Sequence, residues 1–138
     1  MEEKIRILIA DSGEDYRKLL AEMLENEGDF EVIGGTGDGR AALEMIDKKQ
    51  PDVVLTDLIL SGTDGLGVME RIAAMPEKQR PKVIVISGFY SDAVIASVVS
   101  LGAAYFMHKP CDIPTLMERV RFITGRAGPV PAAADVGM

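Results

Sequence analysis

Four side chains in this sequence are of types that could do one piece of chemistry together. Asp11 and Asp57 are acids, Ser87 carries a hydroxyl and Lys109 an ammonium. Each stands at or just past the end of a short apolar run. IRILIA precedes Asp11, DVVLT precedes Asp57, KVIVI leads into Ser87, and AAYFM ends two residues before Lys109. Two acids can hold Mg²⁺, which prefers hard oxygen ligands and keeps several waters. One of the acids can act as a nucleophile and form an acyl phosphate. A lysine can neutralise charge on a transferred group, and a hydroxyl can donate to a phosphoryl oxygen. Taken singly, each residue has a plainer role. A strand-end Asp is often a turn former, and Ser87 could be a helix cap. Asp64-Gly65 reads as a turn and helix start, and His108, the single histidine, reads as a surface residue. The combination at strand ends points to phosphoryl transfer.

The elements that must position these groups alternate along the chain. Five apolar runs, 5–10, 30–35, 52–56, 82–87 and 103–107, read as strands. The first is almost wholly apolar, as a strand covered on both faces should be. Helical spacing fills the gaps at 13–27, 38–49, 65–75, 91–101 and 112–124. Ser12 with Asp15, Ser91 and Asp112 are candidate N-caps, and Pro51 stops the second helix. Strand–helix alternation with short connections implies a doubly wound α/β fold, a parallel sheet with helices on both faces. Ligands in such sheets sit at the carboxyl ends of the strands. If the first, third and fourth strands are neighbours, Asp11, Asp57 and Ser87 converge.

Composition excludes several classes. The 138 residues carry 15 basic and 22 acidic side chains, a net charge of −7. That balance argues against direct nucleic-acid binding by this segment, since grip on phosphates comes from Lys and Arg. One cysteine, Cys111, can form neither an internal disulfide nor a zinc site, and the cytosol is the expected compartment. No apolar run approaches the ~20 residues of a membrane span. Nine of the 14 residues in 125–138 are Gly, Ala or Pro, so this stretch reads as a flexible tail or linker after a domain spanning 1–124. A rival motif is Gly37-Asp38-Gly39-Arg40-Ala41-Ala42, which fits a dinucleotide fingerprint, with Asp57 20 residues after Gly37. It lies in the second strand–helix unit rather than the first, and a tight loop would need the same glycines.

The segments IRILIAD, PDVVLTDLILSGTDGLGVMERI, PKVIVIS and LGAAYFMHKP together resemble the receiver domain of two-component response regulators. The likeness covers about residues 4–124. Within that family, FEVIGG and LGAAYFMHKPCD are worded most like the receiver halves of sporulation regulators of spore-forming Gram-positive bacteria. The resemblance implies the flavodoxin-like fold with strand order 2-1-3-4-5. It implies a phosphoacceptor rather than an enzyme, with a histidine kinase or histidine phosphotransfer protein as partner and Mg²⁺ as cofactor.

Residue by residue, the resemblance makes Asp57 the phosphoacceptor and Lys109 the lysine that contacts the phosphoryl group, followed by Pro110 after a cis bond. Ser87 becomes the switch hydroxyl, and Phe106 the switch aromatic that turns inward with it. Asp11 becomes the first acid of a metal-binding pair, and Ile59 the residue whose carbonyl binds the metal. Two positions depart from the pattern. Ser12 stands where the second acid belongs, and a hydroxyl is a poorer ligand for a hard dication. Metal affinity is therefore expected to fall roughly tenfold or more, with Glu14 or Asp15 as partial replacements. Leu60-Ser61 replaces Met-Pro. The alternative is a pseudo-receiver that signals by binding alone. Apolar Ile59 and Phe89 beside the acceptor imply slow self-dephosphorylation. The weakly charged helix 91–101, with strand 103–107 and helix 112–124, is a candidate homodimer or effector surface.

Overall fold

A computed structural model describes residues 3–126 of the chain. Five strands, β1 (Ile5–Ala10), β2 (Phe30–Thr36), β3 (Val53–Thr56), β4 (Lys82–Ser87) and β5 (Tyr105–His108), form one parallel sheet. Its order is β2-β1-β3-β4-β5. Five helices connect or follow them: α1 (Glu14–Glu25), α2 (Gly39–Lys49), α3 (Gly65–Ala73), α4 (Asp92–Ser100) and α5 (Ile113–Ile123). The expected α/β architecture and strand order are what the chain adopts. From residue 127 onward, the expected tail lies outside the described residues, as do residues 1–2.

The period of two along a strand divides the core into two layers. Ile7 and Ile9 of β1, Val53 and Leu55 of β3, and Ile84 and Ile86 of β4 face α1 and α5. There they meet Leu20, Leu24, Leu116, Met117 and Val120. The alternate residues Leu8, Ala10, Val54, Val83 and Val85 face α2, α3 and α4, meeting Ala42, Ile46, Val68, Met69, Ile72 and Val98. Both faces are covered, which is why the strands are nearly continuous apolar runs. The coverage is uneven. α3 buries four residues, whereas α4 buries Val98 alone.

Local chemistry sets the element boundaries. Asp38, Asp64, Ser91 and Asp112 each accept a hydrogen bond from a backbone N–H of the first turn that follows. Ser12 does not cap α1. Gly13 holds that position without a side-chain cap, and its own N–H donates to the Asp11 carboxylate at 2.8 Å. β5 begins at Tyr105 rather than residue 103. Ala103 closes the turn after α4 by donating to the Val98 carbonyl. A one-turn 3₁₀ helix at Glu77–Gln79 leads into β4 and carries no signal in the sequence pattern. No helix among the described residues is long and apolar enough to cross a membrane.

Candidate functional site

The ladder of the sheet continues one residue past three strands and thereby sets the site. Asp11 donates its backbone N–H to the Thr36 carbonyl, Asp57 donates to Ala10, and Lys109 donates to Ser87, at 2.9, 2.8 and 3.1 Å. Three chemically active residues are thus each anchored at the backbone level to a neighbouring strand. Their side chains converge. The Lys109 ammonium lies 2.5 Å from Asp11 Oδ2 and 2.7 Å from Asp57 Oδ2. Both acids are buried, at 4% and 7% exposure, while the Lys109 side chain keeps 25%. Burial pulls the lysine's pKa down, but hydrogen bonds and charge from the two carboxylates outweigh it, and the net shift is upward.

The remaining carboxylate oxygens are also occupied. Asp57 Oδ1 accepts from the Leu58 and Ile59 amides at 2.6 and 3.2 Å, and Asp11 Oδ1 accepts from Gly13. Such bonds hold a carboxylate in one rotamer. The Arg17 guanidinium bonds the Asp11 carbonyl and braces the β1 end from α1.

The donor set suits a dication. Two carboxylates sharing one ammonium leave one net negative charge, with the Ile59 carbonyl nearby in sequence and the exposed Ser12 hydroxyl beside Asp11. One or two carboxylates plus water suit Mg²⁺, so the residues fit. The set is a lean one, since no group of three or more His, Cys, Asp or Glu gathers anywhere among the described residues. Glu14 adds nothing to it, because its carboxylate pairs with Lys18 at 3.0 Å on the outer face of α1.

Ser87 is fully buried, and its Oγ accepts from the Phe89 amide at 3.1 Å, within its own loop. Phe106 is buried at 2% exposure in the layer under α4. Ile59 and Phe89 stand open at the rim, 60% and 57% exposed.

Sequence reading missed two residues here. His108 is only half exposed. Its ring stacks on Tyr90 with centroids 3.8 Å apart and meets the Phe106 edge at 6.0 Å. The period of two along β5 puts Phe106 and His108 on one face and could have found this pair. Tyr16, one residue within the helical stretch 13–27, places its ring centroid 4.8 Å from the Lys109 ammonium.

The dinucleotide reading fails on space. A Cβ at Gly39 would lie 1.6 Å from the Thr63 carbonyl oxygen, and one at Gly62 would lie 2.2 Å from Asp38 Oδ1. The loop after β2 is zipped to the loop after β3. Gly39 donates to Ser61, and Ser61 donates to Gly37, at 2.9 and 3.0 Å. The glycines serve that loop-on-loop contact, and Asp57 is committed to Lys109. Proline at 61 would lack the N–H for one of these bonds, so the departure from Met-Pro adds a tie.

The family model described as response regulator receiver domain matches residues 7–121. Among solved structures, the chain is similar to the signal receiver domain of a response regulator described as NarL from Mycobacterium tuberculosis. That match has 29% identity, covers 90% of this chain and 96% of the other, and has a TM-score of 0.78. Two more at 24% identity share the fold. The response regulator domain of CheB from Thermotoga maritima has a TM-score of 0.80, with 91% and 100% of the two chains covered. A CheX–CheY–BeF₃–Mg²⁺ complex from Borrelia burgdorferi gives 0.79, with 88% and 90% covered.

Proposed function

The chain belongs to the response regulator receiver family, and from that membership we propose that Asp57 accepts a phosphoryl group from a histidine kinase or histidine phosphotransfer protein. The observation that carries this reading is the Lys109 ammonium held between Asp11 and Asp57 at 2.5 and 2.7 Å. In the transfer, a carboxylate oxygen of Asp57 bonds to phosphorus as the bond from phosphorus to the donor's imidazole nitrogen breaks. The bonding pair stays with that nitrogen, and a proton on the second ring nitrogen lets the imidazole leave neutral. The product is an acyl phosphate. Oδ1 is tied to two fixed backbone amides and Oδ2 to a movable side chain, so Oδ2 is the oxygen assigned as nucleophile. The Lys109 ammonium sits on Oδ2 and stays beside the charge as it moves onto the phosphoryl oxygens.

Asp11, Asp57 and the Ile59 carbonyl are the residues that would hold Mg²⁺, with Ser12 as a weak or lost ligand. Bound there, the dication would offset phosphoryl charge. On the switch side, the Ser87 hydroxyl would exchange its Phe89 bond for a phosphoryl oxygen. Phe106 is already packed inward, so the loop 88–91 is the part left to move. Local charge then biases a two-state element. Ile59 and Phe89 flank the acceptor and impede an attacking water, so the acyl phosphate persists for many minutes or longer.

Two finer readings belong with this one. The helix α4, β5 and α5 form the proposed effector or homodimer surface, supported by exposed Val99 and Tyr90 at 58% and 50%. Kinship with sporulation regulators rests on the wording of two segments alone. The competing reading is a module that signals without a phosphate cycle, and Ser12 is the residue that favours it. Intact mass after incubation with acetyl phosphate and Mg²⁺ separates the two. The expected result is a gain of about 80 Da on the parent and none on Asp57→Asn. No gain under conditions that label another receiver would support the phosphate-independent module.

A further inference from the structure

Lys109 is held by more than its two acids. Tyr16, in the first turn of α1, is half-buried against the core under α1 and α5. Its ring faces the Lys109 ammonium at 4.8 Å, and its hydroxyl points past it to Cys111 Sγ at 3.6 Å. The ring is therefore fixed at both ends, by the helix backbone and by the loop after β5. Burial, first, and then Cys111 and the two carboxylates push the phenol's ionisation far above its ordinary value. The contact is then between an ammonium and a neutral ring face, not an ion pair with a phenolate.

We infer that Tyr16 is a positioning residue for phosphoryl transfer, its ring face keeping the Lys109 ammonium at the acceptor carboxylate. The inference rests on the reading of Asp57 as phosphoacceptor. A lysine head group on four rotatable carbons has many places to go. Two carboxylates attract it but do not choose its side of approach, and a quarter of the side chain remains open to solvent. The ring closes one side. Its value rises during the reaction. Once Asp57 Oδ2 is bonded to phosphorus it is no longer a carboxylate oxygen, and the ammonium must re-aim at the phosphoryl group. Asp11 and the Tyr16 ring are the two contacts that persist through that change. A cation over an aromatic face is attracted by the ring quadrupole, most strongly where water is excluded.

The test uses the parent, Tyr16→Phe, Tyr16→Leu and a series with mono-, di- and trifluorinated phenylalanine at position 16. Fluorination drains the ring face of negative charge while changing its shape little. Two quantities are read: the titration midpoint of the Lys109 ammonium by NMR, and the rate constant for adduct formation at saturating acetyl phosphate and Mg²⁺. Tyr16→Phe should stay within about twofold of the parent, since the ring is kept. The rate should fall stepwise with fluorine number, to about fivefold or more below the parent in Tyr16→Leu. The lysine midpoint should fall in the same order. Rates and midpoints independent of fluorine number would overturn the inference. So would Tyr16→Phe as slow as Tyr16→Leu with the lysine midpoint unmoved. If Tyr16→Leu does not fold, the fluorinated series decides alone. If the parent takes up no phosphoryl group, the reading of Asp57 fails, and the Lys109 midpoint still decides whether the ring holds the ammonium.

Discussion

Two regions at the carboxyl edge of the sheet differ in how firmly they are held. Around Asp11, Asp57 and Lys109, every carboxylate oxygen has a partner, and the backbone of each residue is tied to the next strand. Around Ser87 the anchoring thins. The loop 88–91 is exposed, and α4 buries one residue against the sheet. Group transfer needs groups held in place before the donor arrives. A signal needs an element whose alternative arrangement lies close in free energy, and such elements come from weakly packed parts of a structure. The chain puts both on one sheet, joined through Ser87 and the Tyr90–His108–Phe106 contacts.

The contrast can be broken first by truncating each side. Leu55→Ala, in a strand with 1% exposure, should cost about 2–5 kcal/mol in urea unfolding. Val99→Ala, 58% exposed on α4, should stay within about 0.5 kcal/mol. Similar costs at both positions would remove the distinction.

Lys109→Met leaves two buried carboxylates facing each other and should destabilise by about 1–3 kcal/mol, a range reduced for the lysine's partial exposure. This contribution carries a pH signature. The folded-state pKa of Lys109 is raised above 10.5. Its contribution is therefore fully present below the unfolded value and is lost as pH rises through the folded one. The stability gap between parent and Lys109→Met, followed by denaturant titration, should narrow from about pH 10 upward. A gap that widens there would contradict the ion-pair geometry.

Ser12→Asp should raise Mg²⁺ affinity by about tenfold, read by calorimetry, and should leave exchange of α4 amides unchanged in the metal-free protein. Smallest, Ser91→Ala removes the α4 cap, in which Ser91 Oγ accepts from Val94 at 3.2 Å. It should cost about 1 kcal/mol and speed amide exchange within α4 while β1 and β3 keep their protection.

Much of this arrangement is legible in the sequence. Strands buried on both faces announce themselves as apolar runs, and Ser91 and Asp112 are legible as caps and Asp64 as a helix start, whereas the cap at Asp38 shows only in the structure. The acids and the lysine were found because they follow those runs. What escaped notice depends on a third dimension. Tyr16 looks like any apolar helix position until α1 is laid beside the loop after β5. His108 looks solvated beside a lysine until Tyr90 folds onto it. Ser12 has the side chain of a cap, but α1 starts one residue later, with Gly13 at the N-cap and no side-chain cap bond. The Gly37–Ala42 motif matches a fingerprint, yet its Gly39 answers to Thr63 and its Gly37 to Ser12 and Arg17.

The division between a fixed acceptor and a loose reporter is tested most directly by amide hydrogen exchange on the protein with and without a phosphoryl group on Asp57, occupancy checked by intact mass. Exchange in the loop 88–91 and α4 should change by about tenfold or more, with β1, β3 and α2 unaltered. A change spread evenly over the sheet, or no change in α4 at full phosphorylation, would contradict it.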